Sequence, residues 1–500
     1  MTVTHHPDYA LAEPELKKTR DCVLGSAFVK AERHIYLGHP SQIEPNSVEQ
    51  QMRYKLFLEG ADFPKDTSST LSALLGKMRI GTAEIELPEK LDYLVNNVDN
   101  DGTKLVSAIE SSASEAISVN FNLLVATFKG LESEQIGNVS QEQVKLMNLR
   151  AAVKRYSRES IVDWDFKRIN GIMQLAYLKL REVDSVVSEG GGRTLVTSYL
   201  VLAIDEQGYY QQRFTEGENG SISGTEKSYV TVNGGKSLPW LPVQFVSTQQ
   251  MVAGELPKGL GFLHKVAEAA LSEYRVSALY KETQSSLTPT MFNKGWKAGD
   301  KELFDQINGG RAYIAMGGMA NNNLPEGVET DIVSAAVEMT DFHWFFERSQ
   351  KKMQRLGGKP DNAVQMTATE AEINAAEQSA LLDSLVSSLE EGWKRVIAYC
   401  GMFEGIYQAD AIADHLDDIK IDLNRDFAKA KLSVEEVRTL RELKMAGDIS
   451  TKELHRQLSA GGWLSSEVDE MLEELSEQPP MMDLPEIGEK PQSLTDNTNE

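Results

Sequence analysis

The segment that comes nearest to a chemical motif is NGGKS, residues 233–237, which resembles the end of a phosphate-binding loop. In such a loop, glycine N–H groups and a lysine hold the phosphates, and a serine hydroxyl binds the metal ion. Val230 stands where the loop needs its first glycine, and Leu238-Pro239 follows where a helix must begin. We therefore predict a hairpin turn here rather than a nucleotide site.

Other candidate reactive groups have equally ordinary interpretations. Asp163 and Asp165 flank Trp164 on a predicted strand, so they share one face and are expected to meet solvent or a neighbouring subunit. The eight histidines are scattered without metal-ligand spacing, and His264 and His343 are expected to be core or interface residues on helices. Glycines 190–192 predict a flexible hairpin loop. The sequence favours a structural or binding protein over an enzyme, with no cofactor and no metal.

One group of basic residues is more informative, because it crowds the end of a predicted helix and the Gly-Gly-Lys-Pro break after it. The group and its glycines are Arg348, Lys351, Lys352, Arg355, Gly357, Gly358 and Lys359. Cations at a helix C-terminus stabilise it by complementing the helix dipole. The functional alternative is a set of charges that faces phosphates from a mobile loop, and the two explanations are compatible.

The overall charge limits the partners. The chain has 500 residues, 75 acidic and 51 basic, and a formal net charge of −24. Such a surface repels nucleic acid at long range and disfavours a broad phosphate-gripping patch, but it is compatible with DNA that slides past. Cys22 and Cys400 are the two cysteines, so no CxxC motif exists and no disulfide is expected. Without an apolar signal-like start or an 18-residue apolar run, the chain is expected to be soluble and not membrane-bound.

Helical periodicity is strongest between residues 258 and 391. The first run predicts a long helix with one apolar stripe, formed by Leu263, Val266, Ala267, Ala270, Tyr274 and Ala278. A short glycine-rich, strand-like insert follows, then a second helix over 331–356, the glycine break, and a third helix from Ala368. Residues 104–128 are also predicted to be helical.

Between these helical parts the pattern predicts an antiparallel β-meander. Asn170-Gly171 indicates a hairpin turn, and four further strands are predicted over 195–204, 209–214, 229–232 and 241–246. The alternation of Ile419, Ile421 and Leu423 predicts a later strand. From about Gln478 the composition is rich in proline and acidic residues, which predicts a disordered tail.

Four pieces of the sequence resemble the portal proteins of tailed bacteriophages, in the branch first catalogued as a domain of unknown function. They are the N-terminal HPDY, the VDWDFKRING hairpin with its meander, the helix end SEYRVSALYKETQSSLTPTMF, and LNRDFAKAKLSVEEVRTLRELKMAGDISTKELHRQL. The order of elements covers nearly the whole chain.

The resemblance implies an α+β portal fold with a mixed α/β wing, long stem helices, a small α/β clip and a helical crown. It implies a wing at 1–257, a stem helix at 258–284, a clip at 285–328, a second stem helix at 329–356 and a tunnel loop at 357–367. A wing helix and return strand at 368–429, the crown at 430–478 and an acidic tail at 479–500 complete the chain. Clip docking is assigned by this resemblance to Lys294, Trp296, Lys297 and Arg311.

The resemblance also implies the function of a ring, usually of twelve subunits, at the capsid vertex of the virion, assembled in the host cytoplasm. Double-stranded DNA would pass through its channel during packaging and ejection, driven by the separate terminase large subunit. Head-completion or tail adaptor proteins and the major capsid or scaffolding protein would be the other partners. The alternatives are another virion ring component, such as a head-tail adaptor, and a nucleic-acid enzyme with an unrecognised site.

Overall fold

The structure is a computed structural model. It describes residues 4–39, 47–78, 80, 83–128, 150–169, 171–187, 191–216, 222–232, 236–249, 252–286, 290–294, 329–333, 340–357, 368–425, 427, 434–446, 450, 454 and 458. The chain divides into two units, residues 1–427 and 428–500. Both helices and sheets build the first unit, which agrees with the α+β class predicted from the sequence.

The helices and strands have the following bounds. The helices are α1 Pro7–Leu24, α2 Ser26–Ala31, α3 Val48–Gly60, α4 Asp66–Met78, α5 Tyr93–Asn96, α6 Leu105–Val119, α7 Phe262–Ser286, α8 Thr340–Arg355, α9 Ala368–Phe403 and α10 Val434–Ala446. The strands are β1 Glu84–Glu86, β2 Phe121–Phe128, β3 Ala151–Ser157, β4 Ile161–Ile169, β5 Ile172–Val187, β6 Arg193–Asp205, β7 Gly208–Glu216, β8 Ile222–Gly224, β9 Ser228–Tyr229, β10 Thr231–Val232, β11 Lys236–Ser237, β12 Val243–Ser247, β13 Thr290–Lys294, β14 Glu329–Val333 and β15 Lys420–Asp422.

Helix α7 lies at the centre of the helical part of the first unit. All six residues of its predicted apolar stripe are buried, and the helix contacts α1, α3, α4, α6 and α8. Its 25 residues make a rod of about 37 Å. Tyr274 is fully buried and meets the edge of the Phe63 ring at 5.9 Å between centroids. Burial of this stripe is what holds the N-terminal helices against α7.

The predicted helix over 104–128 is wrong in its second half. Helix α6 ends at Val119, Asn120 has a positive φ of 84°, and β2 begins at Phe121. The Asn120 amide donates to the Gly259 carbonyl oxygen at 3.0 Å, which fixes this turn. Strand β2 is the central strand between β12 and β3, and both α6 and α9 pack against it. Its side chains are therefore apolar on both faces, and periodicity alone does not distinguish such a strand from a buried helix.

Helix α9 covers the three-stranded sheet β12-β2-β3. The Ser247 backbone N–H donates to the Ser388 hydroxyl at 3.0 Å. A Cβ on Gly392 would lie 2.9 Å from a methyl of Val246, so only glycine allows this close approach. The sheet is thereby buried between α9 and the helices around α7.

The β-meander has the predicted first hairpins, but two of its predicted strands differ. The strand predicted over 241–246 is β12, which pairs with β2 in the other sheet. The strand predicted over 229–232 is divided between β9, which pairs with β7, and β10. Strands β4 to β8 form one antiparallel sheet in sequential order, and Ile169 pairs with Ile172 across the predicted Asn-Gly turn. Strands β10 and β11 pair with each other on either side of residues 233–235, as a hairpin at the phosphate-loop lookalike requires. The predicted strand around Ile421 is β15, and its partner is the distant β1.

The second long helix begins later than the predicted residue 331. Residues 329–333 form β14, which pairs antiparallel with β13 from Thr290 opposite Val333 to Lys294 opposite Glu329. β-Branched residues at Thr330, Ile332 and Val333 favour a strand over a helix. The chain therefore runs from α7 into a two-stranded ribbon and returns into α8, and residues 295–328 lie outside the described part.

The second unit is described over α10 and three later positions. Val437 and Leu440 of α10 form an apolar cluster with Leu454 and Leu458. The other residues of the predicted crown and the whole acidic tail lie outside the described residues. Within the described part of the chain, no helix is both long and apolar enough to cross a membrane.

Candidate functional site

Helix α8 carries most of the basic group and has one buried face. Met353 is fully buried, and Ser349 donates to the Glu273 carboxylate on α7 at 3.1 Å. Nearer its start, Phe342 and Phe346 meet the Tyr280 ring of α7 edge-on at 5.5 and 5.8 Å between centroids. These contacts fix which side of α8 points outward.

The outward face of α8 is cationic. Six side chains at helical spacing line an open groove of about 410 Å³, and they are Trp344, Glu347, Arg348, Lys351, Lys352 and Arg355. Four of the six are cations and one is a carboxylate. In a chain with a net charge of −24, this face is a local site of the opposite sign, suited to an anionic partner.

Trp344 and Arg348 form a pair within this face. The guanidinium carbon of Arg348 lies 5.0 Å from the centroid of the Trp344 ring, which is cation–π geometry. Trp344 is 58% exposed, although a side chain of this size is usually well covered. This contact holds the Arg348 guanidinium over the exposed ring, on the same face as the lysines. The sequence predicted the cation but not this aromatic partner, whose signal is the i, i+4 spacing.

The helix dipole explains only part of the basic group. Lys352 and Arg355 lie in the last turn of α8, where cations complement the dipole. The dipole effect falls off within one turn, so it does not account for Arg348 and Lys351. For these two residues, contact with phosphates is an explanation that compensation of the helix dipole does not supply.

Gly357 ends α8 in a conformation that requires glycine. Its φ is +76°, and a Cβ there would lie 3.0 Å from the Phe262 ring at the start of α7. Its carbonyl oxygen accepts from the Gln378 amide of α9 at 2.8 Å. The end of α8 is thus held between α7 and α9, as the predicted helix stop at this glycine requires.

The other predicted site residues are not assembled with this face by the described structure. Gly358 and Lys359 of the predicted tunnel loop lie outside the described residues, as do Trp296, Lys297 and Arg311 of the predicted clip. Lys294 is the last residue of β13, and only its backbone is described. The docking prediction for these residues stays a prediction.

Asp163 and Asp165, the acidic pair noted in the sequence, each form an ion pair with a lysine. Asp163 lies 3.6 Å from the Lys179 ammonium and Asp165 lies 3.8 Å from that of Lys167. Both cysteines are free and buried, which agrees with the expected absence of a disulfide, and burial raises the pKa of Cys22 to about 12. None of these groups forms a reactive centre with α8.

Glu182 is a buried carboxylate that the sequence analysis missed. It accepts hydrogen bonds from the Lys154 ammonium at 2.5 Å and the Tyr156 hydroxyl at 2.6 Å, and it forms an ion pair with the Arg213 guanidinium at 3.0 Å. Burial raises the pKa of Glu182, but the hydrogen bonds from Lys154 and Tyr156 outweigh burial and hold it below its usual value. Since its partners come from strands β3 and β7, this network joins the meander to the central sheet.

His264, by contrast, is a core histidine as the sequence predicted. It is 8% exposed on α7, and burial lowers its pKa against the opposing influence of Glu268 and Glu15. His343 is exposed on α8 and lies 6.2 Å from Tyr280 between ring centroids.

Comparison with known proteins gives a weak structural likeness. No family model and no curated protein matches the chain. A chain from the neck of an empty GTA particle, computed with C6 symmetry, is 12% identical with a TM-score of 0.38, over 79% of this chain and 94% of that one. A chain from the neck of a native GTA particle, computed with C12 symmetry, is 12% identical with a TM-score of 0.37, over 78% of this chain and 90% of that one. This chain is similar to those neck chains at a level that establishes no family.

Proposed function

We propose that this chain is the subunit of a phage portal, a ring at the capsid vertex of the virion whose channel passes DNA during packaging and ejection. The proposal rests mainly on the path of the chain, which leaves α7, passes through the β13–β14 ribbon and continues into α8. That order of helix, ribbon and helix corresponds to the stem, clip and stem implied by the four sequence pieces that resemble portals.

The surface of α8 supports the same function. A cationic face about three turns long, from Trp344 to Arg355, offers only a few phosphate contacts per subunit. Each such contact releases counterions and adds affinity, so a small number gives weak, salt-sensitive holding rather than tight binding. The remainder of the chain is strongly acidic, and DNA near it gains little from counterion release. In the proposed channel, DNA therefore slides while α8 makes transient phosphate contacts.

Arg348 and the lysines have different parts in this mechanism. Arg348, held over the Trp344 ring, offers a planar donor group. Lys351 and Lys352 carry compact ammonium groups on flexible stems, which follow a moving phosphate more easily. The proposal assigns the chain no catalysis of its own, since a separate terminase motor supplies the energy.

The proposed partners follow from the same function. Other copies of the chain complete the ring, and the terminase large subunit and then head-completion or tail adaptor proteins dock at the clip. The major capsid or scaffolding protein surrounds the ring. A head-tail adaptor is the second candidate, but adaptors are usually much shorter and lack a stem–clip–stem order.

The experiment that tests the proposal is electron microscopy of the purified chain, combined with an ATPase assay. We expect rings with a central hole and no ATP turnover above background. A flat ring without a projecting stem would favour the adaptor, and ATP turnover would favour the enzyme alternative.

A further inference from the structure

A histidine and two carboxylates from two helices converge away from α8. Glu15 is on α1, and His264 and Glu268 are on α7. The Nε2 atom of His264 lies 3.6 Å from a carboxylate oxygen of Glu15 and 3.6 Å from one of Glu268. The three ligand atoms all lie within 4.8 Å of one another.

The hydrogen bonds of Thr19 favour the His264 tautomer that carries its proton on Nδ1. The Thr19 hydroxyl donates its one proton to the Glu15 backbone carbonyl at 3.1 Å. It lies 3.1 Å from Nδ1 of His264, so it accepts from Nδ1–H there. The Nε2 atom then carries a lone pair that points at two carboxylate oxygens beyond hydrogen-bond distance.

A cation at the centre of the three groups would stabilise this arrangement. A lone pair and two carboxylates repel one another, and the Lys18 ammonium compensates Glu15, where it pairs with one carboxylate oxygen. The His264 side chain is 11% exposed. A ring that donates one N–H to a fixed acceptor while its other nitrogen faces carboxylates is the usual orientation of a metal-ligating histidine.

We propose that Glu15, His264 and Glu268 bind one divalent transition-metal ion, of which Zn²⁺ is the natural probe. Zinc bonds of about 2.0–2.2 Å at tetrahedral angles place neighbouring ligand atoms about 3.4 Å apart. The two separations of 3.6 Å from Nε2 need only a small contraction. Three protein ligands leave a fourth position for water. This proposal departs from the metal-free expectation of the sequence, in which Glu15 is remote from the other two ligands.

Lys18 competes with the metal. Its ammonium lies 2.5 Å from the Glu15 oxygen that faces His264, and the side chain is 23% exposed. Because Lys18 is flexible and reaches solvent, it can move away when a metal ion takes its place. Replacing Lys18 by a neutral residue should therefore tighten metal binding rather than weaken it.

Calorimetric titration of the EDTA-treated full chain with ZnCl₂ tests the proposal, with a thermal melt as a second readout. We expect one Zn²⁺ per chain at this site and a rise in the melting temperature, since the metal would join α1 to α7. Glu268→Gln, at a half-exposed position, should weaken this binding at least tenfold and abolish the rise, and Lys18→Met should strengthen it. His415→Ala is the matched control, because His415 pairs with Asp418 at 3.0 Å outside the cluster.

The comparison of wild type with Glu268→Gln separates zinc bound at the cluster from zinc bound elsewhere. Other histidines bind zinc equally in both proteins, so a difference in zinc affinity between the two belongs to the cluster. Equal zinc affinity in wild type and Glu268→Gln would overturn the proposal, as would an unchanged melting temperature with saturating zinc. Either result would leave the Lys18 ammonium as the cation that compensates Glu15.

Discussion

Neutralising Lys351 and Lys352 should weaken DNA binding in a way that depends on salt. The change to Lys351→Gln/Lys352→Gln leaves the buried face of α8 intact, because both side chains are exposed. Glutamine keeps the length and helix propensity of the side chain. The folded structure and assembly are therefore expected to survive, and only the charge of the outward face changes.

The magnitude follows from the number of cations removed. Each phosphate neutralised by a lysine contributes about 0.9 to the slope of log affinity against log salt. The double variant should lower that slope by about 1.8 for each engaged subunit. Between 50 and 200 mM salt, the wild-type protein should then lose about 12-fold more affinity than the variant when one subunit is engaged.

Fluorescence anisotropy of a labelled duplex, titrated with assembled protein at several salt concentrations, measures this slope. The control is Lys55→Gln/Lys265→Gln, which removes the same charge from exposed positions on α3 and α7. We expect the control to keep the wild-type slope. Equal slopes for the two double variants would refute the phosphate-contact function of α8 and leave its cations with a role in helix stability.

Three further predictions concern stability and assembly. Gly357→Ala should lower the free energy of unfolding by about 1–2 kcal/mol, because alanine is strained at positive φ. Gly60→Ala is the control, since a methyl group there enters open space and should change the free energy of unfolding little. Urea denaturation measures both variants. Glu182→Gln should cost about 2 kcal/mol, a value reduced for the partial exposure of Lys154. The pKa of Glu182 is lowered from 4.5 in the folded state. Its contribution to stability is therefore present above pH 4.5 and is lost as pH falls through the lower folded pKa. Wild type should lose more stability than Glu182→Gln as pH falls below 4.5. Truncation after Glu477 should leave ring assembly unchanged in light scattering, and loss of assembly would contradict the predicted disorder of the tail.

Local patterns predicted the elements that depend on nearby residues. The buried stripe of α7 and the hairpin at Asn170-Gly171 are examples, because helical spacing and turn chemistry act within a few residues. The strand β2 was predicted as helix, since an apolar segment buried on both faces has no alternation. The pairing of β1 with β15 had no local signal, because each strand finds its partner only after the chain has folded.

The candidate site was predictable to a similar extent. Basic composition marked Arg348 and the nearby lysines, but the sequence did not show which side of α8 is buried. That information comes from the packing of Phe342 and Phe346 on Tyr280, which leaves Trp344 outside. The approach of Glu15 to His264 likewise depends on how α1 packs on α7, a long-range contact without a sequence pattern.

Negative-stain electron microscopy of the purified chain at micromolar concentration tests the central claim most directly. A portal subunit with the stem–clip–stem order should form closed rings, with a central hole wide enough for duplex DNA and a stem projecting from a broader wing. Class averages with rotational symmetry and a stain-filled centre are the predicted result. A field of monomers, supported by a monomer mass in light scattering, would contradict the account.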